Sequence, residues 1–201
     1  MKIVVIGASG TIGSAVAKLL KQRHQVVAVS RSGGDYRADI TDKSSLEKAF
    51  SAVGKVDAIV STTGSAVFKP LAALTDADFE KCLQDKLMGQ VNIVRLGAPH
   101  ILSGGSITLT SGMLAQQRMP GSAAISLVNA GLEGFVRAAA LELKAANVRV
   151  NVVSPPWLKE TLVALKMDPA PGMPADDVAK AYARSVEGNA SGEVIDARKA
   201  A

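Results

Sequence analysis

The sequence predicts an α/β fold: a doubly wound parallel sheet covered by helices on both faces, three layers in all, and three observations lead there. Short β-branched runs alternate with helical patterns along the whole chain, the order that puts crossover helices on both faces of a parallel sheet. A glycine-rich turn, GASGTIG, stands between the first run and the first helical pattern. The 201 residues, 48% of them apolar, are enough for one sizeable core and too few for two, and no low-complexity linker divides them. One domain spanning 1–201 is expected.

The elements follow in order. Ile3 to Ile6 is a continuous apolar run ending at Gly7, and apolar positions then recur at helical spacing from Thr11 to Lys21. Further strands are predicted at Val26 to Val29, Val56 to Val60, Ser106 to Thr110, Val148 to Val153 and Glu193 to Ile195. Helical patterns cover 43–52, 75–98, 122–146 and 175–186. Only RSGGDY separates the second strand from RADI, where a third would begin. A crossover helix does not fit there, so an abbreviated connection is expected, with Gly33 and Gly34 in the tight turn. MDPAPGMP, at 167–174, reads as a surface loop.

Composition narrows the function classes. The net charge of +5 is spread without a basic block and aromatic residues make up 3%, which argues against nucleic acid as a partner. A modest positive excess suits an anionic small molecule. No apolar run is long enough to predict a membrane span, and MKIVVIGASG lacks the pattern of a signal peptide. The single Cys82 has no Cys or His nearby. A cytoplasmic protein with a buried, inert thiol and no metal site is therefore expected.

GASGTIG carries the first functional signal. Gly7 permits the turn, Gly10 lets backbone approach a pyrophosphate, and Gly13 lets the helix pack near the sheet. The helix start offers free N–H groups, with Ser9 and Thr11 as extra donors and Ile12 alongside. The spacing is GxxGxxG, one register from GxGxxG, so position at the first strand-helix junction gives it its weight. After the second strand come Arg31 and Ser32, with no acid to bind ribose hydroxyls. Arg31 favours a 2′-phosphate, hence NADP(H), with NAD(H) the less favoured cofactor; a solvated loop cation is the alternative.

With these residues in view, the chain resembles a compact member of the short-chain dehydrogenase/reductase family. GASGTIG, ADITD, STTGSA, GSITLTSG, a long helix, VRVNVVSPPWLKET and SGEVID arrive in the family's order. The resemblance implies a Rossmann-like fold and an NADP(H)-dependent oxidoreductase that moves a hydride to or from a small carbonyl or alcohol. By it, Asp39 and Ile40 flank the adenine, Thr62, Thr63 and Gly64 line the cofactor, and Pro155 and Thr161 border the nicotinamide. Family members commonly pair through the helices matching 75–98 and 122–146, which implies a homodimer or homotetramer.

The resemblance breaks where the family keeps its chemistry. A Ser after the fifth strand, a Tyr, a Lys four residues on and an Asn on the preceding helix normally form a proton relay. Ser111 matches the Ser by position, and is otherwise an ordinary strand-end serine. Ile125 stands at the Tyr and Asn129 at the Lys, while Lys86 falls at the Asn; the family's PG is Pro155-Pro156. Ile125 cannot move a proton, and an unaided Ser hydroxyl holds its own too tightly. Ser111 and Lys86 are the catalytic candidates. Tyr36 and Tyr182 read as packing residues, His24 and His100 as surface or cap residues, and Trp157 as a side chain over the pocket mouth or in plain packing. The exchange of Lys and Asn predicts the Lys86 ammonium within hydrogen-bond reach of Asn129, directly or through one water, beneath the nicotinamide ribose. A solvent-facing Lys86 is the alternative. A non-catalytic NADP(H)-binding sensor or scaffold also fits such a site.

Overall fold

A computed structural model describes residues 1–200. Its centre is a seven-stranded, wholly parallel sheet in the order β3-β2-β1-β4-β5-β6-β7. The strands are β1 (Lys2–Ile6), β2 (Gln25–Ser30), β3 (Tyr36–Arg37), β4 (Val56–Ser61), β5 (Ile101–Thr110), β6 (Arg149–Ser154) and β7 (Val194–Asp196). Helices α1 (Thr11–Leu20) and α7 (Ala175–Glu187) cover one face. On the other face lie α2 (Lys43–Val53), α4 (Gly89–Gly97) and α5 (Ala123–Glu142). Each helix turns an apolar stripe to the sheet, so two cores form: Ile3, Val5, Val16 and Tyr182 on one side, Ile6, Leu46, Ile93 and Leu132 on the other.

The abbreviated β2–β3 connection is present. Ser30 Oγ donates to the Gly33 carbonyl at 2.6 Å and accepts from its N–H at 3.1 Å, while the left-handed residue is Gly34 alone, at φ +90°. The pattern at 75–98 is not one regular helix: α3 (Asp76–Cys82) and α4 are joined by a single π-helical turn, Leu83–Met88. Gly89 follows, where a Cβ would meet the Ile40 side chain. The six-residue helix α6 (Lys159–Ala164) was not expected; six residues are too few for a period to show.

Several minor expectations are met. Cys82 is buried, and its Sγ accepts the Val67 N–H at 3.1 Å. His24 Nε2 lies 2.9 Å from Glu187, and His100 stacks on Phe50. Residues Ala123–Ala146 form a run long and apolar enough, by composition alone, to cross a membrane. Its inward face, with Val128, Leu132 and Val136, is buried against the sheet, which accounts for much of that character.

Candidate active site

Six candidates follow the C-terminal ends of strands: Gly7 after β1, Arg31 after β2, Asp39 after β3, Thr62 after β4, Ser111 after β5 and Pro155 after β6. The order reverses between β1 and β4, and open α/β sheets bind ligands in the crevice at such a switch. A cleft lies there with two lobes that share Thr62, Thr63 and Gly64.

The first lobe, about 310 Å³, is walled by Gly7, Ser9, Gly10, Arg31, Asp39 and Ile40, among others. Its floor is a matter of backbone. Gly7 has φ +87°, and a Cβ on Gly13 would fall on the Gly7 carbonyl oxygen. Only glycine lets the turn and helix meet so closely. The Gly10 N–H donates to Gly7 O at 2.9 Å, α1 has no acidic residue in its first turn, and Thr62 Oγ1 donates to Ile6 O at 3.1 Å. Arg31 is exposed and, among the described residues, makes no hydrogen bond or ion pair. The N–H and hydroxyl of Thr41 both donate to Asp39 Oδ1, at 2.9 and 2.7 Å. These bonds, with Arg31 nearby, hold the Asp39 carboxyl below its usual range.

The second lobe, about 290 Å³, is chemically different. Ile12, Met113, Leu114, Ile125 and Trp157 give it apolar walls, and Lys86 is its sole charged residue. Lys86 sits on the π-helical turn against Gly64, where a Cβ would lie 2.9 Å from the Lys86 Cα. It is only 6% exposed, which removes the solvent-facing alternative. Its ammonium donates one long bond, 3.4 Å, to the Thr110 carbonyl, and burial lowers its pKa to about 8. No direct bond joins it to Asn129. The Asn129 Nδ2 donates at 3.5 Å to Gly112 O, while its buried Oδ1 has no partner.

Ser111 borders the same lobe, but its hydroxyl donates to Glu133 Oε1 at 3.2 Å. Glu133, buried on α5, also accepts from Gln116 at 3.2 Å. Behind Lys86, Gln90 grips Thr110: its Oε1 accepts the Thr110 N–H and its Nε2 donates to the Thr110 carbonyl, both at 2.8 Å. The Tyr182 hydroxyl lies 2.6 Å from Thr110 Oγ1, and burial raises its pKa. Gln90 and Glu133 were missed in the sequence. Their signal was a polar residue at a core-facing helical position, as Glu133 is four residues after Asn129 and beside buried Leu132. Of the cofactor candidates, Thr11 and Ser32 are exposed and line neither lobe, and Gly13 supports the turn from behind. Among the described residues no cluster of metal-ligating side chains exists.

A cleft at the switch point of a parallel sheet, floored by a glycine turn at the start of α1, is the site that a dinucleotide-binding fold presents. The chain belongs to the short-chain dehydrogenase/reductase family: the family described as enoyl-(acyl carrier protein) reductase matches residues 12–186. It is 30% identical to the cis-4-hydroxycyclohexanecarboxylate dehydrogenase of Sinomonas cyclohexanicum, over 90% of this chain and 80% of that one. Hydroxynaphthalene reductase arp2 of Aspergillus fumigatus is 29% identical, over 68% of this chain and 52% of that enzyme. Among solved structures, a protein from Listeria innocua superposes with a TM-score of 0.93 at 40% identity, covering 98% of each chain. A small-chain dehydrogenase in complex with NADPH has a TM-score of 0.86 at 28% identity, covering 98% of this chain and 95% of that one.

Proposed function

We propose that the chain is an NADP(H)-dependent oxidoreductase with an altered proton-handling site, acting on a small carbonyl or alcohol. The observation that carries this reading is the pairing of the two lobes: a glycine turn with a free Arg31 at one end, and buried Lys86 in the same lobe as an orphaned Asn129 oxygen at the other. That orphan is the test of fit. Asn129 Oδ1 requires a donor and the Lys86 ammonium an acceptor; a hydroxyl supplies both, as a ribose does. The similar NADPH-bound dehydrogenase supports the same cofactor here.

When bound, reduced nicotinamide supplies a hydride. The chain's own residues do the rest. Gly7, Gly10 and the start of α1 receive the pyrophosphate, helped by Ser9, while Arg31 meets the 2′-phosphate. Asp39 and Ile40 border the adenine, Thr62, Thr63 and Gly64 the middle of the cofactor, and Pro155 and Thr161 the nicotinamide. Lys86 and Asn129 exchange the family's roles, with Lys86 placing an ammonium where the helix lysine is missing. Its lowered pKa lets it give up a proton near neutral pH to a developing alkoxide, which Ile125 cannot do. The hydroxyl of Ser111, turned to Glu133, serves a substrate only if it leaves that bond.

Titration calorimetry with NADPH and NADH, then NADPH consumption across a carbonyl panel, tests the proposal. NADPH binding with turnover is expected, and no binding overturns it. Ile125 in place of the phenol favours a second reading, a cofactor-binding sensor or scaffold; tight NADPH binding with no turnover would select it. Pairing of two chains through α4 and α5, where Leu127 is 48% exposed and Leu141 75%, is the assembly we propose. Light scattering giving a monomer mass at micromolar concentration would refute it.

A further inference from the structure

Beside the second lobe lies a groove that the proposed reaction does not use. It is about 460 Å³ in volume and runs between Leu71 and the 114–123 segment, bordered by Met119, Pro120, Ala123 and Ser126. Leu114 belongs to both spaces: it is 7% exposed and lines the second lobe as well as the groove. Leu114 is thus the wall that the groove and the second lobe share. Its walls hold themselves in shape without a ligand. The Lys69 N–H donates to Gly121 O at 3.0 Å, the Phe68 ring packs on Gly121 at φ +83°, and Phe68 meets Trp157 edge to face at 6.2 Å. Gln116 ties the start of the segment to buried Glu133. One charged side chain, Arg118, borders the groove, and no acid does.

We propose that this groove is the subsite for the tail of the substrate, and that the substrate is an extended carbonyl or alcohol compound whose apolar tail, neutral or anionic at its far end, passes Leu114. This rests on the function proposed above for the second lobe. An apolar tail gains by leaving water at each methylene, and Arg118 disfavours a cationic end.

Trp157, the chain's sole tryptophan, lines the second lobe and so reports binding without catalysis. The experiment titrates the NADP⁺-saturated protein with straight-chain methyl ketones from butanone to decanone, following Trp157 fluorescence. The same titration uses Ala123→Phe, which fills the groove from an exposed position and leaves the core alone. Affinity should rise about fourfold per methylene in the native chain, levelling off once the groove is filled. In Ala123→Phe the rise should stop earlier, with butanone affinity unchanged. A long ketone ending in a carboxylate should bind better than one ending in a quaternary ammonium. Equal affinity along the series, or the same rise in Ala123→Phe, overturns the proposal. Butanone itself separates the two failures: if it binds the NADP⁺-saturated protein and longer ketones gain nothing, only the groove reading falls, whereas if no ketone binds, the function proposed for the second lobe falls with it.

Discussion

The two lobes of one cleft are built by different means. In the first, the determining contacts are of backbone: Gly7 at φ +87°, Gly13 against the Gly7 carbonyl, and the open start of α1. In the second they are of side chains: Lys86, Asn129, Ile125 and Ser111. Where the backbone passes is fixed by the whole sheet and helix packing, so the first lobe keeps the family's form. A side chain can be exchanged without moving an element, and in the second lobe we propose that the relay residues differ from the family pattern. On that proposal binding and reaction are separable, and each prediction below tests one side of that division.

The largest effect should come from Gly13→Ala. One methyl there has nowhere to go except against the Gly7 carbonyl, so turn and helix must part. Overpacking of this kind costs about 3 kcal/mol and should abolish NADPH binding along with it. Gly134→Ala is the contrast. That glycine is in α5 with nothing within 4 Å of its Cβ position, so alanine should stabilise by about 1 kcal/mol. Urea denaturation measures both. Equal effects at the two glycines would show that the first lobe does not depend on close backbone approach.

Lys86 gives a second-lobe effect almost as large, visible through pH. Burial depresses its pKa from 10.5 to about 8, so between those values the unfolded chain holds a proton that the native chain has released. Stability from this group rises with pH across the window, and the full cost of the buried charge is present below about pH 8. The difference is on the order of 3 kcal/mol. Lys86→Met should remove this rise from denaturation curves taken from neutral to alkaline pH. If the native chain and the variant keep parallel stability profiles, Lys86 is not held as a buried base.

The first lobe was more legible in the sequence than the second, for a physical reason. Apolar runs such as Ile3 to Ile6 and a glycine turn at their end report a strand and a tight turn directly, because few other structures tolerate them. The proposed exchange of Lys86 and Asn129 was visible as residue types. What they touch was not, since the direction of a side chain depends on the π-helical turn at Leu83–Met88, which has no period of its own to read. The Glu133 grip on Ser111 and the Gln90 clamp on Thr110 were hidden for a related reason: a polar residue on a buried stripe looks like an interruption of the pattern until its partner, distant in sequence, is known.

Arg31 tests the first lobe through charge where Gly13 tests it through shape. Its guanidinium has no partner among the described residues, so Arg31→Ala should leave stability within about 0.5 kcal/mol. NADPH affinity should fall by about 2 kcal/mol through loss of a charged hydrogen bond to the 2′-phosphate, with NADH affinity hardly changed. Calorimetry with both cofactors measures the split. A parallel loss for the two would place Arg31 on the pyrophosphate or in the general field of the protein.

The sharpest contrast with Gly13 is expected at Asn129. Its side chain is buried, yet Oδ1 has no partner and the Nδ2 bond to Gly112 O is long at 3.5 Å. A group in that condition costs the empty protein free energy, because water has been removed from it and nothing has replaced the lost hydrogen bond. Leucine is close to asparagine in shape and has no polar atom to strand. Asn129→Leu should therefore leave the empty chain as stable as before, or raise its stability by up to about 1 kcal/mol. With NADPH present the sign should reverse: the native chain gains the bond that Oδ1 lacks, the variant does not, and affinity should fall by about tenfold. Thermal unfolding with and without NADPH reads both effects in one protein. If Asn129→Leu is destabilised alike in both conditions, the asparagine belongs to the packing of α5, and the second lobe has no acceptor kept in reserve for a ligand.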